Sequence, residues 1–154
     1  MEVTQVKRLN DQTTVVWTTP NGQHTEHHDI TNCPDVPTED FLGQFKLVEA
    51  DLVARTGFGS KFGTGFTLTG IAMTRNAAGR RQFVPTIKVN FGWGETGMAM
   101  SYLLEPDAEK KRTTGANVLT EEEINRIQVL FKLGAKYAAG ERHQAKLELT
   151  GTDG

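Results

Sequence analysis

The sequence predicts a single α+β domain over residues 1–154: a mostly antiparallel sheet of six to eight strands with two amphipathic helices packed on one face. Three observations carry this. Short Val/Thr/aromatic runs recur between turn signals at both ends of the chain, the mark of β-meanders. Two long segments instead show apolar residues at helical spacing behind an N-capping threonine. Within the runs 3–30 and 66–104 the strands are joined by short turns, which favours antiparallel pairing.

Residues 3–9 and 13–19 read as the first two strands, rich in Val, Thr and Trp, with Asn10-Asp11 as a tight turn between them. Pro20-Asn21-Gly22 reads as a second hairpin turn, because Asn-Gly tolerates positive φ at both central positions. The very polar segment 23–30 then becomes a third strand, at an edge or with a solvated face. Residues 31–37 carry Pro34 and Pro37 and read as a loop. Thr38 is placed to cap a helix over 38–55, with Glu39 and Asp40 suited to its dipole and Phe41, Phe45, Val48 and Leu52 forming its apolar stripe.

Glycines crowd the next stretch, 55–70: Gly57, Gly59, Gly63, Gly65 and Gly70, interleaved with Phe58, Phe62 and Phe66. Converging backbone N–H groups beside Ser60-Lys61 would suit a phosphate. The order is wrong for a P-loop or a dinucleotide fold, since glycines here follow a helix and precede a strand. A hinge from helix to sheet explains the same residues, and the functional reading narrows to Ser60 and Lys61.

Strands are predicted at 66–74, 82–91 and 97–104, with Asn76-Ala77-Ala78-Gly79 as the hairpin loop between the first two. Pro85 predicts an edge strand or a bulge. Residues 105–119 read as a mobile loop. Thr120 to Glu123 is a capping box opening a helix over 120–139, with Ile124, Ile127, Phe131 and Tyr137 near one face, Gly134 allowing close packing and Gly140 ending the helix. A final strand at 144–150 and a flexible tail at 151–154 complete the chain, with no internal repeat.

Composition narrows the function classes. The net charge is −2, so no global basic field draws the chain to nucleic acid. The single cysteine, Cys33, leaves no internal disulfide and fits a reducing compartment. The polar N-terminus predicts no secretory signal, and no apolar run approaches the ~20 residues of a membrane helix. The expectation is a cytoplasmic protein with no membrane partner (the host cytoplasm, if phage-encoded).

Four features of the sequence bear on chemistry. The first is the glycine stretch. The second is His24, His27, His28, Asp29 and Cys33, which a strand would divide between two faces, where a zinc site needs convergent ligands. A small metal-dependent enzyme built on them is the least favoured reading, and no metal or other cofactor is expected. The third is nucleophilic or acid–base chemistry, for which there is no Gly-x-Ser-x-Gly elbow or comparable signature, so no catalytic residue is assigned. The fourth is basic: Arg75, Arg80, Arg81 and Lys88 around one hairpin, with Lys110, Lys111 and Arg112 on the long loop. With Lys61, and with Phe83, Phe91 and Trp93 as stacking partners, they suit nucleic acid or a phosphate-bearing ligand. A merely solvated hairpin tip is the alternative. The expected binding set is Ser60, Lys61, Arg75, Arg80, Arg81, Lys88 and Trp93.

Val89-Asn90-Phe91, followed by a capped helix and Lys136-Tyr137-Ala138-Ala139-Gly140-Glu141-Arg142, resembles the C-terminal half of small proteins of tailed bacteriophages and prophages, over about residues 66–144. Those proteins carry a Tyr-x-x-Gly-Lys/Arg-like helix end, whereas Glu141 stands here in place of the base. The element order also resembles half of a DNA sliding clamp. The resemblance implies a role in DNA metabolism or counter-defence. The leading expectation is thus a non-catalytic phage or mobile-element (viral) protein binding nucleic acid or a phosphate-bearing ligand such as a nucleotide. The alternative is a protein-interaction or assembly module, or an inhibitor of a host enzyme, with a host protein as partner. Strand edges at 23–30 and 82–91 would make it a homo-oligomer.

Overall fold

The computed structural model describes residues 1–56, 65–90, 94–103 and 118–142. These form an α+β fold with seven strands and two helices: β1 (Glu2–Leu9), β2 (Gln12–Asn21), β3 (His24–Cys33), α1 (Glu39–Thr56), β4 (Phe66–Arg75), β5 (Arg81–Asn90), β6 (Glu95–Ala99), β7 (Tyr102–Leu103) and α2 (Glu121–Ala138). The sheet order is β3-β2-β1-β4-β5-β6, with β7 also pairing β5, and every pairing is antiparallel.

The turns follow from their residues. Asn10 and Asp11 both take positive φ, 54° and 60°, so β1 and β2 close as the primed turn that matches strand twist. The second hairpin sits one residue later than Asn-Gly predicts. Asn21 pairs with His24, Gly22 is the first central residue at φ 63°, and Gln23 is not in the positive-φ region. Asn21 therefore belongs to the ladder. At the β4–β5 hairpin, Gly79 takes φ 78°. Its N–H donates to the Asn76 carbonyl (2.9 Å), while the Asn76 side chain accepts from the N–H groups of Ala78 (3.0 Å) and Arg80 (2.9 Å).

Two expectations are corrected. Thr31–Cys33 belongs to β3 rather than to a loop. The register slips between Thr13 and Val15, Asn32 turns to φ 51°, and its N–H donates to Thr14 Oγ1 (3.0 Å), so a bulge hides the strand signal. Nor is β5 an edge: it lies between β4 and β6, and among the described residues the sheet ends at β3 and β6. Pro85 is accommodated by a break in the neighbouring strand. Its carbonyl accepts from Met100 N–H (3.2 Å), which places its missing N–H on that same side, and β6 stops at Ala99 before β7 resumes at Tyr102.

Both helices are set by their caps. Thr38 Oγ1 accepts from Phe41 N–H (3.2 Å) at α1. At α2, Thr120 and Glu123 form the complete capping box. Gly140, at φ 110°, donates to the Tyr137 carbonyl while Glu141 N–H reaches Lys136, a Schellman closure. Phe41, Phe45, Val48 and Leu52 of α1, and Ile127, Leu130, Phe131 and Tyr137 of α2, share one core cluster with Val3, Val6, Val15, Leu68, Ile71, Phe83, Ile87 and Val89 of the sheet. By register those strand residues occupy one face. Gly134 lets α2 approach β1, since a Cβ there would lie 2.8 Å from Val6 Cγ2. Glu49 of α1 accepts the Leu68 N–H (2.8 Å), beside the bulge that places Thr69 out of register in β4.

Candidate functional site

The hairpin Asn76–Arg80 holds the basic residues that the structure brings together. Arg75 and Arg81 are directly opposed across β4 and β5, which sets their Cα atoms about 4.5–5.5 Å apart. Like charges so placed repel, at about 0.2–1 kcal/mol. Both side chains are exposed. Arg75 Nη1 donates to the Gly79 carbonyl (3.0 Å), and Arg80 adjoins them on the turn that the Asn76 side chain ties. Among the described residues, neither Arg75 nor Arg81 belongs to an ion pair.

Lys88 is not part of this group. It lies seven residues along β5 from Arg81, about 23 Å at the usual strand rise, and on the other face of the sheet, opposite Thr67 and Gly97. Phe83 is withdrawn from any ligand: it is 2% exposed and meets Phe131 edge-on, with centroids 5.5 Å apart. Ser60, Lys61, Phe91, Trp93, Lys110, Lys111, Arg112 and His143 lie outside the described residues, as do most of the expected loop at 105–119, the strand at 144–150 and the tail. Their flanks can be placed. Gly65, within the glycine stretch, accepts the Asn90 N–H (2.9 Å) through its carbonyl at the Lys88 end of the ladder, about 33 Å of strand from Arg75. Leu119, at the end of the expected loop, is buried in the core.

A second charged region joins the helices. Arg55 at the end of α1 forms a bidentate pair with Glu123 in the first turn of α2, their side chains 13% and 12% exposed. That mutual bond holds the Glu123 carboxyl below the usual carboxylate range and raises the Arg55 guanidinium. The Arg55 guanidinium also sits 5.5 Å from the ring centroid of Tyr102, whose hydroxyl is shifted upward by burial. One turn further into each helix, Arg126 binds Asp51 through both oxygens (2.8 and 2.9 Å) and Gln44 reaches the Arg126 carbonyl (2.9 Å). Glu123 also accepts the Thr120 N–H (2.9 Å), so one carboxylate both caps α2 and binds it to α1.

At the far end of α2, the Tyr137 hydroxyl donates to the Asp35 carbonyl (2.8 Å). Burial first, and then the Cys33 side chain, push its pKa up to about 12. Arg142 covers the ring at 3.5 Å and pairs with Asp35. The phenol therefore stays protonated at neutral pH and serves as an anchor. The histidines fall as strand parity dictates: His24 and His28 on one face, His27 and Asp29 on the other. His28 stacks on Trp17 (5.6 Å, 19°) and meets Thr19 Oγ1 (3.0 Å). Among the described residues no three His, Cys, Asp or Glu side chains gather as a metal-ligand group, and no helix is long and apolar enough to cross a membrane.

The binding set expected from sequence did not include Lys7. It lies on the same sheet face as Lys88, and its signal was the glycine opposite it, Gly70, visible only once β1 and β4 are paired. No family model, curated protein or solved structure matches the chain.

Proposed function

We propose that the protein is a non-catalytic binder of nucleic acid or another phosphate-bearing ligand, engaged through Arg75, Arg80 and Arg81. The observation that supports this most is the opposed pair Arg75–Arg81. It carries like charge on a tied turn and belongs to no described ion pair. Two adjacent guanidiniums match phosphate oxygens by charge and by their forked donor geometry. The phage resemblance supports a setting in DNA metabolism or counter-defence. Retention on immobilised single-stranded DNA tests the reading. The wild type is expected to elute at a salt concentration that Arg75→Gln/Arg81→Gln lowers, and equal elution of the two would overturn it.

A second reading, an assembly module, is favoured by β3, a ten-residue strand that pairs on one side only among the described residues. It calls for a solution mass above one chain that is insensitive to salt. A monomer at all concentrations would contradict self-assembly.

A further inference from the structure

The face of the sheet turned away from the core is built around a lysine. Register aligns Thr14, Lys7, Gly70, Thr86 and Ala99 in one row across five strands, and Thr67, Lys88 and Gly97 in the next. Side chains on this face point away from the core cluster, since they alternate with its members along each strand. Gly70 has an ordinary φ, so the backbone does not demand glycine there. Space does: a Cβ on Gly70 would lie 3.2 Å from both Cβ and Cγ of Lys7 and 3.2 Å from the Val6 carbonyl oxygen. The Lys7 stem therefore rests over Gly70 beside β4, next to the bulge at Thr69. Bulges and strand glycines mark places where side chains are re-aimed or where something approaches the backbone closely.

Lys88 stands two residues along β5 from Thr86, roughly 7 Å away. Among the described residues, neither lysine belongs to an ion pair. Thr67 and Thr86 are exposed and have no hydrogen bond through their hydroxyls among the described residues. The acidic residues of this face, Glu2, Asp29 and Glu95, lie at its borders: the start of β1, the edge strand β3 and the start of β6.

We propose that Lys7 and Lys88, with the hydroxyls of Thr67 and Thr86, form a phosphate site on this face that takes the backbone of a single-stranded nucleic acid. The site is distinct from the hairpin tip, its nearer row about 16 Å and Lys88 about 23 Å of strand from it, and the choice of a nucleic acid as the source of the phosphate rests on the function proposed above. No tyrosine, tryptophan or phenylalanine among the described residues is placed on this face by register. Contact would thus be with phosphate rather than by stacking, and insensitive to sequence.

Binding of single-stranded oligonucleotides of about 4 and about 16 nucleotides, the range of single-strand site sizes, measured against salt, tests this. Lys7→Gln/Lys88→Gln is expected to reduce the salt slope for the longer strand by about 1.4, two single-strand phosphate contacts. Lys7→Arg/Lys88→Arg is expected to restore it, and the thermal midpoint is expected to stay unchanged. An unchanged slope in the glutamine variant overturns the site. So does a wild type that binds inorganic phosphate but neither strand, since the backbone assignment then fails. If the slope falls in the lysine variant but not in Arg75→Gln/Arg81→Gln, this site stands and the hairpin reading fails.

Discussion

Two regions of the molecule use arginine in opposite ways. At the helix pair, Arg55 and Arg126 each meet a carboxylate, and the carboxylates belong to the facing helix. At the β4–β5 hairpin, Arg75 and Arg81 face each other. The first arrangement lowers the energy of the folded chain, and the second raises it. Charges that neutralise one another hold α1 against α2. Charges that repel one another add no attraction across the strand pair, where Arg75 keeps a bond to the Gly79 carbonyl. Chemical type is the same in both regions; what differs is the partner supplied by the fold.

Breaking the helix pair gives the largest expected effect. Arg55→Ala strands a half-desolvated Glu123. Removing one partner of a fully buried pair costs about 3–5 kcal/mol. This one lies at the rim of the core, where water screens it, so a loss of about 1–3 kcal/mol is expected in urea unfolding at neutral pH. The pH dependence follows from the depressed Glu123 carboxyl. Its contribution is complete above the unfolded carboxylate value of about 4.3 and is lost as pH falls through the lower folded value. The gap between wild type and Arg55→Ala should therefore close in acid, and a gap that persists unchanged there would rule out the pair as its source.

A comparable loss is expected where α2 presses on β1. Gly134→Ala brings a methyl to 2.8 Å from Val6 Cγ2, and overpacking of that kind costs about 1–3 kcal/mol. Gly134→Ala/Val6→Ala should recover part of it, a coupling that a double-mutant cycle would read. Additive losses would show that the close approach carries no strain.

The smallest expected effect on stability is at the hairpin. Arg75→Gln/Arg81→Gln should leave the unfolding free energy within about 0.5 kcal/mol, with a shift toward greater stability as the cross-strand repulsion is relieved. A clear loss would mean that these guanidiniums hold the hairpin by more than the Arg75–Gly79 bond.

Local features were legible in the sequence, and long-range ones were not. Thr38, the Thr120–Glu123 box, Gly140, the Asn10-Asp11 turn and the Asn76–Gly79 loop each act over a few residues, and each stands where its chemistry predicts. The four apolar residues of α1 are all buried, as their spacing requires. Leu130, fully buried on α2, lies beside the expected face of Ile124, Ile127, Phe131 and Tyr137. The position of β5 depends on strand order, which no local signal encodes. Pro85 therefore pointed to an edge, when the neighbouring strand had yielded instead. The candidate site divides in the same way. Arg75, Arg80 and Arg81 are neighbours in sequence and in space. Lys88 is a neighbour in sequence only, and it is the pairing of β1 with β4 that sets Lys7 on its face.

The contrast between the two arginine pairs comes to a single comparison: salt-titrated binding of a single-stranded oligonucleotide to the wild type, to Arg75→Gln/Arg81→Gln and to Arg126→Gln. The hairpin variant should lose about 1.4 from the slope of log affinity against log salt, two phosphate contacts, while Arg126→Gln, whose guanidinium is already held by Asp51, keeps the wild-type slope. Equal slopes for all three proteins, or a loss confined to Arg126→Gln, would contradict the division of labour between the helix pair and the hairpin.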